Sequence, residues 1–217
     1  MNEEIRLANM KRLLYIPIVH NQSDLGSLGQ KLSQEGSQVY GTDSWQDHID
    51  QVDISWSKIE SEILKRVKKV SLEKIKIYQD GLPVVGEIGY KIVKDAAEKG
   101  SVNYQIIDNL LTKGAKLEIA ENKEILLKEY SLLANISKAE SNESMVKAYL
   151  IYQELSQELL NDRDAFIANQ INTTLEDGEI GIAFFGAAHT IVNKLNDDIK
   201  VDVVKMFTDE ISLNLSK

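Results

Sequence analysis

Cysteine is absent from the 217 residues, and proline occurs only twice. Without thiols the chain has no disulfide scaffold, no thiolate nucleophile, no cysteine-ligated zinc and no iron-sulfur cluster. The scarcity of proline argues against a β-sandwich, which needs frequent turn punctuation. Basic residues are outnumbered, 25 Lys and Arg against 34 Asp and Glu, for a formal charge of -9 and a pI near 5.0. That balance argues against nucleic acid as a partner, because neutralising phosphates requires concentrated Lys and Arg. Long apolar runs are missing too: Leu13 to Val19 falls well short of the roughly 20 residues that span a bilayer. The chain therefore reads as cytoplasmic, with no membrane partner. What it does have is 43% hydrophobic and 27% charged residues, enough to bury a core. Its length suits one large domain, 1–217.

Residues 13–19 (LLYIPIV) form a branched apolar run of the kind buried on both faces of a parallel sheet. A polar, glycine-containing loop follows. Trp45, Ile49, Val52, Trp56, Ile59, Ile63, Val67 and Val70 then recur at steps of three and four, predicting one long helix near 44–70. The stripe reads as core packing, with a helix-mediated homodimer seam as the alternative. Lys74 to Tyr78 alternates as a strand ended by Asp80-Gly81, and AKLEIA (115–120) and IGIAFF (180–185) predict two more strands, with a fifth near 199–206. Helices are expected at 84–99, 103–112, 122–134, 143–160 and 162–176, with a short one at TIVNKL. Strand and helix thus alternate. The expected fold is α/β, a mostly parallel sheet of four to five strands flanked by helices.

Four polar residues follow predicted strands: His20 after the first, Asp80 after the second, Glu121 after the third and His189 after the fourth. Ligands of open parallel sheets bind at the carboxyl ends of the strands, so two imidazoles and two carboxylates can meet there. Such a donor set suits a divalent metal such as manganese, cobalt or zinc, with His20 and His189 as the principal ligands. Without metal, the same residues could act as a general base and its orienting acid. Gly186, Ala187 and Ala188 are small enough for a ligand to approach the backbone, and the N–H groups of the following helix would favour an anion. His189, in a turn held by a helix, is expected to project into a wet pocket, so that its truncation would spare stability. His48 reads as a solvated residue at the edge of the long helix. No P-loop, dinucleotide fingerprint, nucleophile elbow or zinc-protease motif is present, and Gly26 to Lys31 does not satisfy the first of these.

Pro17-Ile18-Val19-His20 and Gly186-Ala187-Ala188-His189 resemble the paired G-x-x-H elements of the Tiki, TraB and ChaN-like superfamily, to which erythromycin esterases are related. Arg163 to Ala168 (RDAFIA), followed by a helix, Gly178, an apolar strand and GAAH, is similar to its carboxy-terminal R-[DN]-x-x-[ML]-A region. The likeness is strongest over about 160–195. It implies an α/β fold with a pocket lined by both histidines and by acids, in a superfamily that includes proposed metal-dependent proteases, metal-independent esterases and a haem-binding protein. Pro17 replaces the first motif's glycine, and Ile18 stands where esterase-like members often carry Glu. An essential carboxylate would then come from Asp24, Asp80, Glu87 or Glu121. Arg163 can clamp a pocket carboxylate or a ligand anion, or pair with Asp164 or another acid. The implied activity is hydrolysis of an amide or ester in a small molecule or peptide. The alternative is a non-catalytic binder of a tetrapyrrole such as haem, or of a small anion.

Overall fold

The computed structural model of the protein describes residues 10–18 and 42–204, with the backbone alone for 42–53. Five parallel strands form one sheet in the order β3-β2-β4-β1-β5: β1 (Lys11–Ile18), β2 (Ile75–Gln79), β3 (Lys116–Leu117), β4 (Ile180–Gly186) and β5 (Ile199–Val203). Among the described residues five α-helices accompany them: α1 (Thr42–Val67), α2 (Gly86–Glu98), α3 (Val102–Thr112), α4 (Lys123–Ser137) and α5 (Asn142–Thr174). The α/β expectation is met. No helix among the described residues is long and apolar enough to cross a membrane.

Alternating side chains of the strands feed two cores. Leu14, Ile16 and Ile18 of β1 pack with Ile182 and Phe184 of β4 against Trp56, Ile59 and Ile63 of α1, Val93 of α2 and Ile107 of α3. Leu13, Tyr15, Tyr78 and Phe185 face the other way, onto Ile167 and Ile171 of α5. Trp56, Ile59, Ile63 and Val67 are buried in the first core, so this part of the α1 stripe is core packing and not a dimer seam. The helix stops at Val67, short of Val70. The side chains of Trp45, His48, Ile49 and Val52 lie outside the described residues. Gly181 lets the sheet and α5 close together, because a Cβ there would sit 2.6 Å from Leu13 Cδ1 and 3.2 Å from Tyr78 Cε2.

Three local expectations are corrected. The helices expected at 143–160 and 162–176 are one 33-residue helix, α5, opened by a reciprocal Ser141–Ser144 capping box. Asn161-Asp162 does not interrupt it, since with no Gly or Pro between 142 and 174 nothing breaks the backbone ladder. The third strand pairs over only Lys116 and Leu117, and the chain then leaves the ladder, carrying Glu121 inward. TIVNKL is a 3-10 turn, Ile191–Lys194. At its far end α5 is tied to β2: Lys76 Nζ donates to the Thr174 carbonyl and lies 2.9 Å from Glu179, while Tyr78 Oη and Thr174 Oγ1 are 2.8 Å apart. These contacts cap the helix carboxyl end and fix the register in which Arg163 and Asp164 meet the sheet.

The connections leaving β2 and β4 run in opposite directions. β2 leads outward to β3 on one side, and β4 leads past β1 to β5 on the other. Their carboxyl ends therefore flank a topological switch point, the place where ligands of open parallel sheets bind. Asp80 follows β2 and His189 follows β4.

Candidate functional site

Asp80 sits in the turn after β2, which Gly81 closes with φ +73, and its backbone N–H bonds the Phe184 carbonyl at 2.9 Å. Glu121 is held just before α4, because Asn122 caps that helix by accepting from the N–H groups of Glu124 and Ile125. His189 closes a turn in which its own N–H bonds the Gly186 carbonyl at 3.0 Å. The three side chains are buried and each can offer one ligand atom, all within 4.8 Å of one another. Asp80, Glu121 and His189 thus meet as the sequence predicted.

Arg163 of α5 binds this group together. Its Nη2 lies 2.6 Å from Asp80 Oδ1 and 2.5 Å from Glu121 Oε1, its Nε is 3.2 Å from both Glu121 oxygens, and its Nη1 is 3.0 Å from Glu129. Of the roles open to Arg163, the geometry shows the carboxylate clamp, and Asp164 is not its partner. Asp164, fully buried, lies 2.6 Å from His189 Nδ1 and accepts from both the N–H and the hydroxyl of Thr190 at 2.8 Å. His189 Nε2 faces Asp80 Oδ2 at 3.5 Å, and the Phe185 ring meets the imidazole edge-on at 5.6 Å. Tyr15 donates to the His189 carbonyl at 3.4 Å.

Three backbone donors of the motif and its flank, those of Gly186, His189 and Thr190, bond inside the protein. Gly186 N–H bonds Asp80 Oδ2 at 2.9 Å, and Thr190 N–H bonds Asp164. The Gly186 and Thr190 N–H groups thus hold the chain's own carboxylates, while Ala187 and Ala188 are exposed. Glu87 stands exposed in the first turn of α2, apart from the cluster. His20 and Asp24 lie outside the described residues. Ile18, the last described residue before His20, pairs with Gly186 at the same sheet edge.

Asp164, Glu129 and Tyr15 were not foreseen. The signal for Asp164 is in the sequence. Leu159, Ile167, Ala168, Ile171 and Leu175 form the buried stripe of α5 and its cap, and Asp164 falls on it by helical spacing. A charge in an apolar stripe must be paired, and an imidazole is a fitting partner. Glu129 gives no such signal, since its role arises from how α4 lies on α5.

Four carboxyl groups, the buried Asp80, Glu121 and Asp164 and the half-buried Glu129, surround one guanidinium and one imidazole, so acids outnumber bases. Burial pushes the Glu121 carboxyl upward, although the Arg163 hydrogen bond and charge pull it down. For His189, burial works against the charged form but is outweighed by the hydrogen bonds and charges of Asp80 and Asp164, and its pKa is raised. Both groups hold a proton more tightly folded than unfolded, so their stabilisation is lost as the pH rises through their folded values. The metal-free protein should therefore lose stability as the pH climbs from 4.5 for Glu121 and from 6.5 for His189. Urea unfolding at about pH 6 and about pH 8.5 checks this. The midpoint should fall with pH, less so in His189→Gln, and an equal or higher midpoint in alkali would contradict the charge assignment.

Comparison of the chain with protein-family models, with curated proteins and with solved structures finds no match.

Proposed function

We propose that the protein is a hydrolase of amide or ester bonds whose water is activated at the Asp80–Glu121–His189 group, with a divalent cation as cofactor. The reading rests on the carboxylate excess, because oxygen and imidazole donors with surplus negative charge fit manganese, cobalt or zinc better than an anion or a tetrapyrrole. Asp80, Glu121 and His189 would hold the cation, which when bound lowers the pKa of water and polarises a carbonyl. Arg163 would keep both carboxylates in place. Asp164 fixes His189 through Nδ1 and leaves Nε2 for one task, to hold the cation or, without metal, to take a proton from the attacking water and return it to the leaving group. The likeness of the GAAH and RDAFIA segments to the Tiki, TraB and ChaN-like superfamily points the same way. The acidic, cysteine-free composition fits a cytoplasmic enzyme acting on a small molecule or peptide.

Protein purified without chelator should carry about one equivalent of metal, and adding manganese, cobalt or zinc at about a hundred times Kd should stabilise the stripped protein by about 2.7 kcal/mol. Asp80→Asn should lose that response. No stoichiometric metal and no shift with any of the three ions would reject the cation. No turnover of any member of a fluorogenic ester and peptide panel by the loaded protein would reject the hydrolase.

A further inference from the structure

Both oxygens of Glu121 are already engaged by one side chain. Arg163 Nη2 lies 2.5 Å from Oε1, and Arg163 Nε is 3.2 Å from Oε1 and from Oε2. A cation held about 2.2 Å from either oxygen would stand within about 5.5 Å of a guanidinium nitrogen, two like charges in a buried site. Asp80 is better placed, because Arg163 takes its Oδ1 at 2.6 Å and leaves Oδ2 to the Gly186 N–H and His189. The guanidinium that steadies the acids without a cation thus competes with a cation for Glu121.

The remaining nitrogen of Arg163 points elsewhere. Nη1 lies 3.0 Å from Oε2 of Glu129, a half-buried residue in the second turn of α4 that stands apart from the Asp80, Glu121 and His189 ligand atoms. Its other oxygen, Oε1, accepts from none of the described residues. We propose that Glu129 is a positioning residue that draws Arg163 off Glu121 and so frees the Glu121 carboxylate for the cation. The inference rests on the cation reading above. By turning outward, Arg163 presents Nη1 and Nη2 to the two Glu129 oxygens as a bidentate pair, and the buried guanidinium stays partnered throughout. Asp164 cannot serve instead, since His189 and Thr190 take both of its oxygens. Asp80 keeps the Gly186 N–H and His189 during the exchange.

Calorimetric titration of the stripped full chain with manganese, cobalt and zinc in turn tests this. Glu129→Gln should raise the Kd of the bound ion about tenfold or more, because Arg163 then has no second seat. Arg163→Met should lower it by a similar factor. A fixed negative charge at Glu129 would also favour a cation through space, so the decisive measurement is Glu129→Gln in the Arg163→Met background. Acting through Arg163, Glu129 should there change Kd less than about threefold. An equal loss in both backgrounds makes Glu129 a plain charge and overturns the proposal, as does weaker binding by Arg163→Met. No heat from any of the three ions with either the natural chain or Arg163→Met rejects the cation itself, and the proposal with it. Should Arg163→Met misfold, nitrogen-15 NMR of the natural chain decides: the Arg163 Nε–H signal, assigned by its loss in Arg163→Lys, should move on adding zinc. A signal that stays in place while zinc binds overturns the proposal.

Discussion

Replacing Arg163 with methionine is expected to remove about 3–5 kcal/mol of stability at neutral pH, much of the roughly 5–15 kcal/mol margin of an ordinary domain. Methionine fills a similar volume, so packing changes little. What is lost is the guanidinium bonded to Asp80, Glu121 and Glu129, at 2.6, 2.5 and 3.0 Å. Glu121 is 1% exposed and Asp80 9%, and neither can turn to water. Without the guanidinium that pulls it down, the Glu121 carboxyl would hold its proton still more tightly, whereas Asp80 keeps the Gly186 N–H and His189, so the folded variant binds more protons than the unfolded one. Its stability must then fall as pH rises through that window and recover on acidification. Arg163→Lys should fall between, because one ammonium cannot serve three carboxylates in a planar fork. Urea unfolding of the three proteins across pH 4.5 to 8 makes the comparison. A loss under about 1 kcal/mol, or one that does not change with pH, would mean the clamp is a solvated surface pair.

The sequence carried the layer order of the fold because each element was signalled by its own residues. The alternating KIKIY before Asp80-Gly81 and the apolar IGIAFF before Gly186 marked strands, and the α1 stripe from Trp56 to Val67 repeated at helical spacing. The strand order and the switch point between β2 and β4 were not legible, since they depend on which edges pair. The site was legible only where a residue follows a strand directly: Asp80, Glu121 and His189. The Arg163 clamp joins α5 to residues 83 and 42 positions away, a pairing no local pattern encodes. Glu129 was invisible for the same reason. Asp164 is legible as the polar member of an apolar stripe, because the buried Ile167, Ala168 and Ile171 follow it at steps of three, four and seven.

His189→Ala is expected to abolish the proposed metal response and hydrolysis and also to cost about 3 kcal/mol, a fall of about 6–12 °C in Tm for a chain of this size. The sequence suggested a ring in a wet pocket whose loss would leave stability untouched. The structure corrects this. His189 is 8% exposed, its Nδ1 is 2.6 Å from Asp164, its Nε2 faces Asp80, and its edge meets Phe185. Removing the ring strips both carboxylates of a partner in a region already rich in negative charge. Asp164 keeps the two Thr190 donors, and Asp80 keeps Arg163 and the Gly186 N–H, which limits the loss. Structural and chemical roles separate in a double-mutant cycle with Asp164→Ala. If the two side chains act as one buried pair, the single losses overlap by about 1–3 kcal/mol, whereas independent residues would add to within about 0.5 kcal/mol. Additive losses, or a His189→Ala protein that still binds manganese, cobalt or zinc as the natural chain does, would remove His189 from the centre of the proposed site.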